Sequence, residues 1–447
     1  MTLDGLPVVV AGAGVSGAAA ARVLRDRGAS VTVVDASAER GEPLRADGFS
    51  VLATDEPPAG TALVVTSPGW RPDSPLLLAA AAAGIEVIGE VELAWRLQGE
   101  GAAPWLAVTG TNGKTTTVQM LASILSAAGL RTVAAGNVGL PLLDAVLDDH
   151  DVLAVELSSF QLHWSSTVRP HTAVVLNVAP DHLDWHGSFA EYAAAKGRIH
   201  APGTLAVYNR EDPESVRLAQ VADRRAGFTL GSPGPSELGV VEHLLVDRAF
   251  AEVPGEATHL ADLSDLSVPG AHNVANALAA AALARSYGVP ADAVRDGLRS
   301  FRADAHRNAL VATVDGVAWV DDSKATNPHA AAASLAAYPS VVWVAGGLLK
   351  GADVDDLVRA AAPRLRAAVL LGTDRAPFLD ALRRHAPQIP VVEVARLDTG
   401  AMLDAVSAAR DLARPGDTVL LAPAAASMDC FRDYKQRGEL FAEAVRS

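Results

Sequence analysis

The chain has 447 residues, enough for about three domains at roughly 150 residues each. Its 52 acidic residues outnumber 37 basic ones, and a net charge of −15 argues against nucleic acid or an anionic membrane as a non-specific partner. The single cysteine, Cys430, excludes an internal disulfide and any multi-cysteine metal site, while 50% hydrophobic residues exclude the disordered, fibrous and disulfide-stapled classes.

No Lys or Arg precedes the first apolar run, and no apolar stretch reaches ~18 residues, so neither a signal peptide nor a transmembrane helix is expected. A reducing cytoplasm fits the cysteine usage. Only five of the basic residues are lysines (Lys114, Lys196, Lys324, Lys350 and Lys435), so a lysine in this arginine-preferring chain needs a reason.

Short Val-rich runs alternate with Ala/Leu/Arg-rich helical stretches, which predicts an α/β class with mainly parallel sheets covered by helices on both faces. In the first segment, strands are expected at Val8 to Val10, Val31 to Val34 and Leu63 to Val65, with a helix from Ala18 to Arg27 ended by Gly28. The turn Gly12-Ala-Gly14-Val-Ser-Gly17 follows the first strand and Asp35 ends the second, close to a dinucleotide fingerprint. The same turn can bind another nucleotide diphosphate or simply close a βαβ unit. Leu97 to Pro104 is a candidate linker.

A second alternating segment starts at Trp105, with strands near Val152 to Val155, Ala173 to Leu176 and Leu205 to Tyr208 and a helix from Thr115 to Ala128. Between strand and helix stands Gly110-Thr111-Asn112-Gly113-Lys114-Thr115, where backbone N–H groups and the helix dipole favour an anion. The common P-loop has a further glycine where this chain has Val108, yet the pattern still points to a nucleotide: Lys114 for the β- and γ-phosphates, the Thr115 hydroxyl for Mg²⁺. Glu156 ends an apolar strand in ELSSFQL, where a second Mg²⁺ ligand belongs. Asp181-His182-Leu-Asp184-Trp-His186 follows the next strand and reads equally as loop or ligand set. Lys196 lies on a short helix beyond it; one chemical reason for a lysine there is uptake of CO₂ as a carbamate, which arginine cannot do.

Residues 230 to 268, rich in Gly, Pro and acids, read as irregular, and His272 to Tyr287 as a helix. Asn273 and Asn276 lie one turn apart on it; they suit an adenine edge, or Asn273 caps the helix. A third segment follows Phe301, with strands near Val317 to Val320, Val341 to Val344, Ala367 to Leu371, Val391 to Val394 and Val419 to Leu421. Polar loops after three of them, Asp321 to Asn327, Gly346 to Gly351 and Ala422 to Gly438, imply a binding edge.

Taken together, GTNGKTT, ELSSFQL, DHLDWH, the Lys196 helix, HNVANALAA, His306-Arg307, DDSKATNP, GGLLKGAD and the Ser427 to Gly438 stretch resemble the Mur ligase family, in order and over nearly the whole chain. The start GAGVSGAAAARVL, Ser67-Pro-Gly69, Gly89-Glu-Val-Glu-Leu93, ELSSFQL and DDSKATN are most similar to its D-glutamate-adding members.

The resemblance implies a Rossmann-like UDP-sugar domain over 1–95, a central P-loop ATPase domain over 96–302 and a C-terminal Rossmann-like amino-acid domain over 303–447. It implies an ATP-dependent ligase that joins D-glutamate to UDP-N-acetylmuramoyl-L-alanine through an acyl phosphate, or a relative using another amino acid. Such an enzyme is expected to be cytoplasmic and monomeric, without nucleic acid as a partner and without insertion into a membrane. By position, Gly110 to Thr116 with Lys114 and Thr115 would bind ATP and Mg²⁺, Glu156 would add a Mg²⁺ ligand, and His182 with carbamylated Lys196 would hold a second Mg²⁺. Asn273, Asn276, Arg307 and Asp322 would meet ATP; Lys324, Thr326, Lys350, Ser427, Met428 and Tyr434 would surround D-glutamate. Val15, Ser16, Asp35, Ala36, Ser37, Gly69, Asn137, Ser158 and Gln161 would receive the UDP-sugar.

Overall fold

The computed structural model describes residues 2–99, 101–253, 255–268, 270–302 and 305–447. Residue 303, where the third segment is expected to begin, and Glu100 of the candidate linker lie outside the described residues. The chain forms two compact units: Leu266–Val274 with Arg302–Ser447 make one, and the rest of the described chain makes the other.

The larger unit holds two sheets. In the first, all five strands are parallel, in the order Ser50–Leu52, Ser30–Val34, Pro7–Ala11, Leu63–Thr66, Glu86–Gly89. The strand Pro7–Ala11 is central, and the chain departs from it to one side and then the other. A crevice therefore opens at its C-terminal end, where the Gly12 to Gly17 turn leads into the helix Val15–Asp26.

The second sheet has nine strands, and Trp105–Thr109 lies between Leu153–Glu156 and Thr172–Val175, all parallel. Here the sequence reading needs correction: residues 230 to 268 are not irregular throughout. They include Glu237–Val241, Leu244–Asp247 and Thr258–Asp262, the last two pairing antiparallel at one edge of the sheet. Gly239 and Gly227 within or beside these short strands masked the alternation, although Leu238, Leu245 and Leu260 are buried. Arg285 secures the edge, its Nε donating to Asp247 at 2.9 Å and its other nitrogens to the Val289 and Phe250 carbonyls.

One apolar core runs through both sheets, from Val8, Leu24 and Val65 by way of Val91 and Leu93 to Trp105, Val155 and Tyr192. Trp95 meets Trp105 edge to face with ring centres 5.0 Å apart. Fully burying each large apolar side chain contributes about 1.5–3 kcal/mol, so this shared core ties the two sheets together.

The smaller unit has one six-stranded sheet, ordered Ala309–Val314, Val317–Asp321, Thr418–Leu421, Val341–Ala345, Leu365–Leu370, Val391–Glu393. Only the first is antiparallel to its neighbour. Trp343, Phe378, Leu370 and Val358 fill one face and Trp319, Met402 and Phe441 the other. The three adjacent parallel strands ending at Asp321, Leu421 and Ala345 release their polar loops on the same edge, as the sequence implied. Among the described residues no helix is long and apolar enough to cross a membrane.

Candidate active site

In the larger unit the strand Trp105–Thr109 runs through the Gly110 to Gly113 turn into the helix Lys114–Ala127. A neighbouring strand end fixes the turn: the amide of Thr111 donates to the Asn177 carbonyl and that of Asn112 to the Asn177 side chain, each at 2.9 Å. Gly113 caps the helix at φ 85°, and the Asn276 side chain fills the space a Cβ there would need. Asn276 is thus brought against the turn from its own helix, Ala271–Ser286. That helix starts at Ala271, so Asn273 sits inside the first turn and is not its cap. Thr115 and Thr116 are buried at the helix start.

Two lysines converge on one carbonyl. Lys114 Nζ donates to the Gly110 oxygen at 2.8 Å and to that of Thr111 at 2.9 Å, and Lys196 Nζ donates to the Gly110 oxygen at 2.8 Å. Lys196 is 1% exposed, on the helix Phe189–Gly197, with its Nζ 4.6 Å from the Tyr192 ring centre. Burial, reinforced by Lys114, holds its amine well below the usual lysine range. Glu156, at the end of Leu153–Glu156, is also 1% exposed. Its Oε1 accepts from Asn137 Nδ2 at 2.7 Å, whereas Oε2 is buried without a hydrogen-bond partner. A buried carboxylate oxygen left over in this way suits a cation. Among the described residues no three His, Cys, Asp or Glu side chains are close enough to hold a metal, so a cation here would also draw on Thr115, Lys196 or substrate oxygens.

His182 adopts the left-handed conformation, φ 53°, and meets Phe160 edge on at 4.8 Å between ring centres. His186 in the same loop bonds Ser159 at 3.0 Å and stacks on Phe160; burial, with His163 nearby, lowers its imidazole to about 4.

Of the residues expected at the UDP-sugar, Val15, Ser16, Asp35, Ala36, Ser37 and Gly69 follow strands of the first sheet, and Asn137, Ser158 and Gln161 follow strands of the second. Val15 is 81% exposed. Asp35 accepts from the amides of Ala13 at 2.9 Å and Ser37 at 2.8 Å and from Arg40 at 2.9 Å. Burial opposes ionisation of Asp35, but Arg40 and the two amides outweigh it and hold the carboxyl below its usual range. Ser37 caps the helix Ala38–Ala46, Ala36 adjoins it, and Gly69 faces open space. Asn137 and Gln161 are engaged by the protein itself: Asn137 by Glu156, and Gln161 by a capping box with Ser158 and by Glu90.

In the smaller unit, Asp322 is buried, accepts from the Asn308 amide at 3.2 Å and from the Ser334 hydroxyl, and is raised to about 6 by burial. Arg307 lies near enough to favour its charged form. Lys324 sits over the Tyr434 ring, 3.9 Å from its centre, and the Thr326 amide donates to the Lys324 carbonyl at 2.8 Å. Leu348 and Ala426 exchange backbone hydrogen bonds of 2.8 and 2.9 Å, which joins the Lys350 loop to the loop carrying buried Ser427 and exposed Met428.

Three supporting side chains escaped the sequence reading. Asn177 shapes the nucleotide turn, and Tyr192 bonds Thr111 through its hydroxyl at 2.9 Å. Arg437, wholly buried, donates to Ser323 Oγ at 2.9 Å, the Ser323 carbonyl at 2.7 Å and the Ala425 carbonyl at 3.1 Å. The available signals were a polar residue directly after an apolar strand and a lone tyrosine in an alanine helix.

Comparisons agree with this geometry. The family model of the Mur ligase middle domain matches residues 108–284, and that of the Mur ligase glutamate ligase domain matches 306–425. The UDP-N-acetylmuramoylalanine--D-glutamate ligase of Streptomyces avermitilis is 62% identical over 99% of this chain and 98% of its own length. The enzymes of that name from Thermobifida fusca and Mycobacterium avium are 61% and 50% identical, covering 100% and 99% of this chain and 99% and 97% of theirs. Among solved structures, MurF from Acinetobacter baumannii has the same fold with a TM-score of 0.61, at 20% identity over 100% of this chain and 92% of that one. MurC from Thermotoga maritima gives 0.59 at 20% identity, covering 99% of each. The chain belongs to the Mur ligase family, among its UDP-N-acetylmuramoylalanine--D-glutamate ligases.

Proposed function

We propose that this protein is an ADP-forming ligase that joins D-glutamate to UDP-N-acetylmuramoyl-L-alanine in peptidoglycan precursor synthesis, acting as a monomer in the cytoplasm. The observation that carries the reading is the meeting of Lys114 and buried Lys196 on the Gly110 carbonyl in a phosphate-binding turn, in a chain up to 62% identical to enzymes of that name.

A carboxylate is a poor electrophile without a leaving group, so the alanyl carboxylate takes the γ-phosphoryl group of ATP and the amine of D-glutamate then displaces phosphate. The amides of the Gly110 to Gly113 turn and Lys114 orient the phosphates and offset charge on the transferring group. Asn273, Asn276, Arg307 and Asp322 are assigned to the rest of ATP. The two carboxylates of D-glutamate are assigned to Lys324 and Lys350, with Thr326, Ser427, Met428 and Tyr434 around them. Val15, Ser16, Asp35, Ala36, Ser37 and Gly69 are assigned to the nucleotide end of the UDP-sugar, and Asn137, Ser158 and Gln161 to its acyl end. The division into 1–95, 96–302 and 303–447 goes with these roles.

The orphaned Glu156 oxygen supports Mg²⁺ held by Thr115 and Glu156, and the buried Lys196 amine, held well below the usual lysine range, supports its uptake of CO₂ to serve with His182 at a second Mg²⁺. Bound Mg²⁺ would act as a Lewis acid on phosphoryl oxygens.

The decisive experiment is phosphate release from ATP with UDP-N-acetylmuramoyl-L-alanine, with and without D-glutamate. Release that depends on another amino acid would reject the assignment. Lys196→Ala is expected to lose about a hundredfold or more in kcat, the scale of removing one transition-state charge partner, with partial recovery on adding a short carboxylic acid.

A further inference from the structure

Gly89-Glu-Val-Glu-Leu93 is the one sequence motif to which the ligase chemistry assigns no role, and both of its carboxylates are buried. Gly89 ends the strand Glu86–Gly89, its amide donates to the Trp164 carbonyl at 3.0 Å, and a Cβ on it would meet Trp164 Cβ at 2.9 Å. The chain at this point is therefore pressed against the segment that follows ELSSFQL.

The helix Glu90–Leu97 then begins with two acids that behave differently. Glu92 accepts from the amides of Ser166 and Thr167 at 2.8 and 2.9 Å and from the Thr167 hydroxyl at 2.6 Å, and Arg96 Nε pairs with it at 2.8 Å. Those bonds suffice to join the helix to the second sheet, and the charge is compensated. Glu90, 6% exposed, has neutral neighbours: Gln161 Nε2 donates to its Oε1 at 3.2 Å, and the Ser16 hydroxyl, on the helix Val15–Asp26 that packs against Glu90–Leu97, lies near enough to favour the charged form of the same carboxyl group. Burial pushes this carboxyl above its usual range against both neighbours. An acid in that position opposes stability, since burying a carboxylate without a cation beside it is unfavourable.

Its two partners explain why it is there. Ser16 belongs to the turn assigned to the nucleotide of the UDP-sugar. Gln161 locks Ser158 through the capping box, at the loop assigned to the acyl end. We propose that Glu90 is a positioning residue that fixes the spacing between the Ser16 turn and the Ser158–Gln161 loop, so that UDP-N-acetylmuramoyl-L-alanine binds as one ligand across both. The proposal rests on the functional reading above and adds to it. When two half-sites are held at the right separation, the second contact forms at high effective concentration, and loosening them forfeits that gain for the long ligand alone.

The test is calorimetric binding of UDP and of UDP-N-acetylmuramoyl-L-alanine to the full chain and its variants, with a thermal melt of each. Glu90→Ala is expected to weaken the complete substrate at least tenfold and UDP no more than about twofold. Glu90→Gln should stay within about threefold of the parent for both, because its amide oxygen can accept from Gln161 while its NH₂ donates to the Ser16 hydroxyl. Glu90→Asp keeps the charge but is a methylene short of bridging both partners; it should resemble Glu90→Ala, and it serves if the alanine variant does not fold. Equal weakening of both ligands would overturn the proposal, showing a merely structural joint. So would a Glu90→Ala variant that binds the complete substrate like the parent, or a Glu90→Gln variant as weak as Glu90→Ala. A parent that binds UDP but not the complete substrate would reject the functional reading, and this proposal with it.

Discussion

The Asn276 amide oxygen occupies the space that a Cβ on Gly113 would need, at a position whose φ of 85° already disfavours any side chain. Gly113→Ala therefore combines left-handed strain with displacement of Asn276, about 2–4 kcal/mol together. The expected result is a lower urea midpoint and an ATP affinity down tenfold or more, with binding of the UDP-sugar unchanged. Adding Asn276→Ala should restore part of the stability without restoring ATP binding. A double mutant whose stability losses simply add would show that the two residues are not in conflict.

The nucleotide turn, Glu156 and Lys196 were legible because each breaks a local rule: glycines between strand and helix, an acid closing an apolar strand, a lysine where the chain prefers arginine. Asn177 was not, since its hold on Asn112, 65 residues away, depends on Thr172–Val175 lying beside Trp105–Thr109, a pairing that local pattern does not encode. The strands within 230 to 268 were hidden by glycines, and their register is set by pairing with one another. Arg437 reads as one more polar residue after the last strand, yet it is wholly buried. Asn137, expected at the sugar, and Glu156, expected at a metal, also bond each other, a contact between two strand ends that local pattern does not encode.

Burial lowers His200 from 6.5 to about 4, and neither of its ring nitrogens has a hydrogen-bond partner. The folded protein keeps this ring neutral while the unfolded chain takes up a proton, so stability is unaffected above pH 6.5 and falls as pH drops from 6.5 toward 4. The full loss is about 3 kcal/mol. Urea unfolding across this range should show His200→Gln losing less stability on acidification than the parent. Parallel pH profiles for the two proteins would reject the assignment.

Arg437 holds Ser323, between Asp322 and Lys324, to Ala425, just before Ser427, using neutral oxygens; burial lowers its guanidinium to about 10. Arg437→Ala strands two buried carbonyls and should cost about 3 kcal/mol or more. Arg437→Lys keeps the charge, but one nitrogen cannot serve three oxygens, so it should recover only part of that. Urea midpoints would measure the loss, and D-glutamate KM should rise in both variants because the loops bearing Lys324 and Ser427 lose their tie.

Lys324 carries its ammonium 3.9 Å from the centre of the Tyr434 ring, and Tyr434 is itself anchored through its carbonyl, which accepts from the Ser323 hydroxyl at 2.7 Å. The ring face holds the cation, which is assigned to a carboxylate of D-glutamate, at a fixed point. Tyr434→Leu keeps the apolar bulk but removes the π face, and the loss of about 0.5–1 kcal/mol corresponds to a two- to fivefold rise in D-glutamate KM with ATP KM unchanged. Tyr434→Phe retains a π face and should stay close to the parent. A phenylalanine variant as impaired as the leucine one would assign the effect to the hydroxyl, and Lys324 would then owe its position to another group.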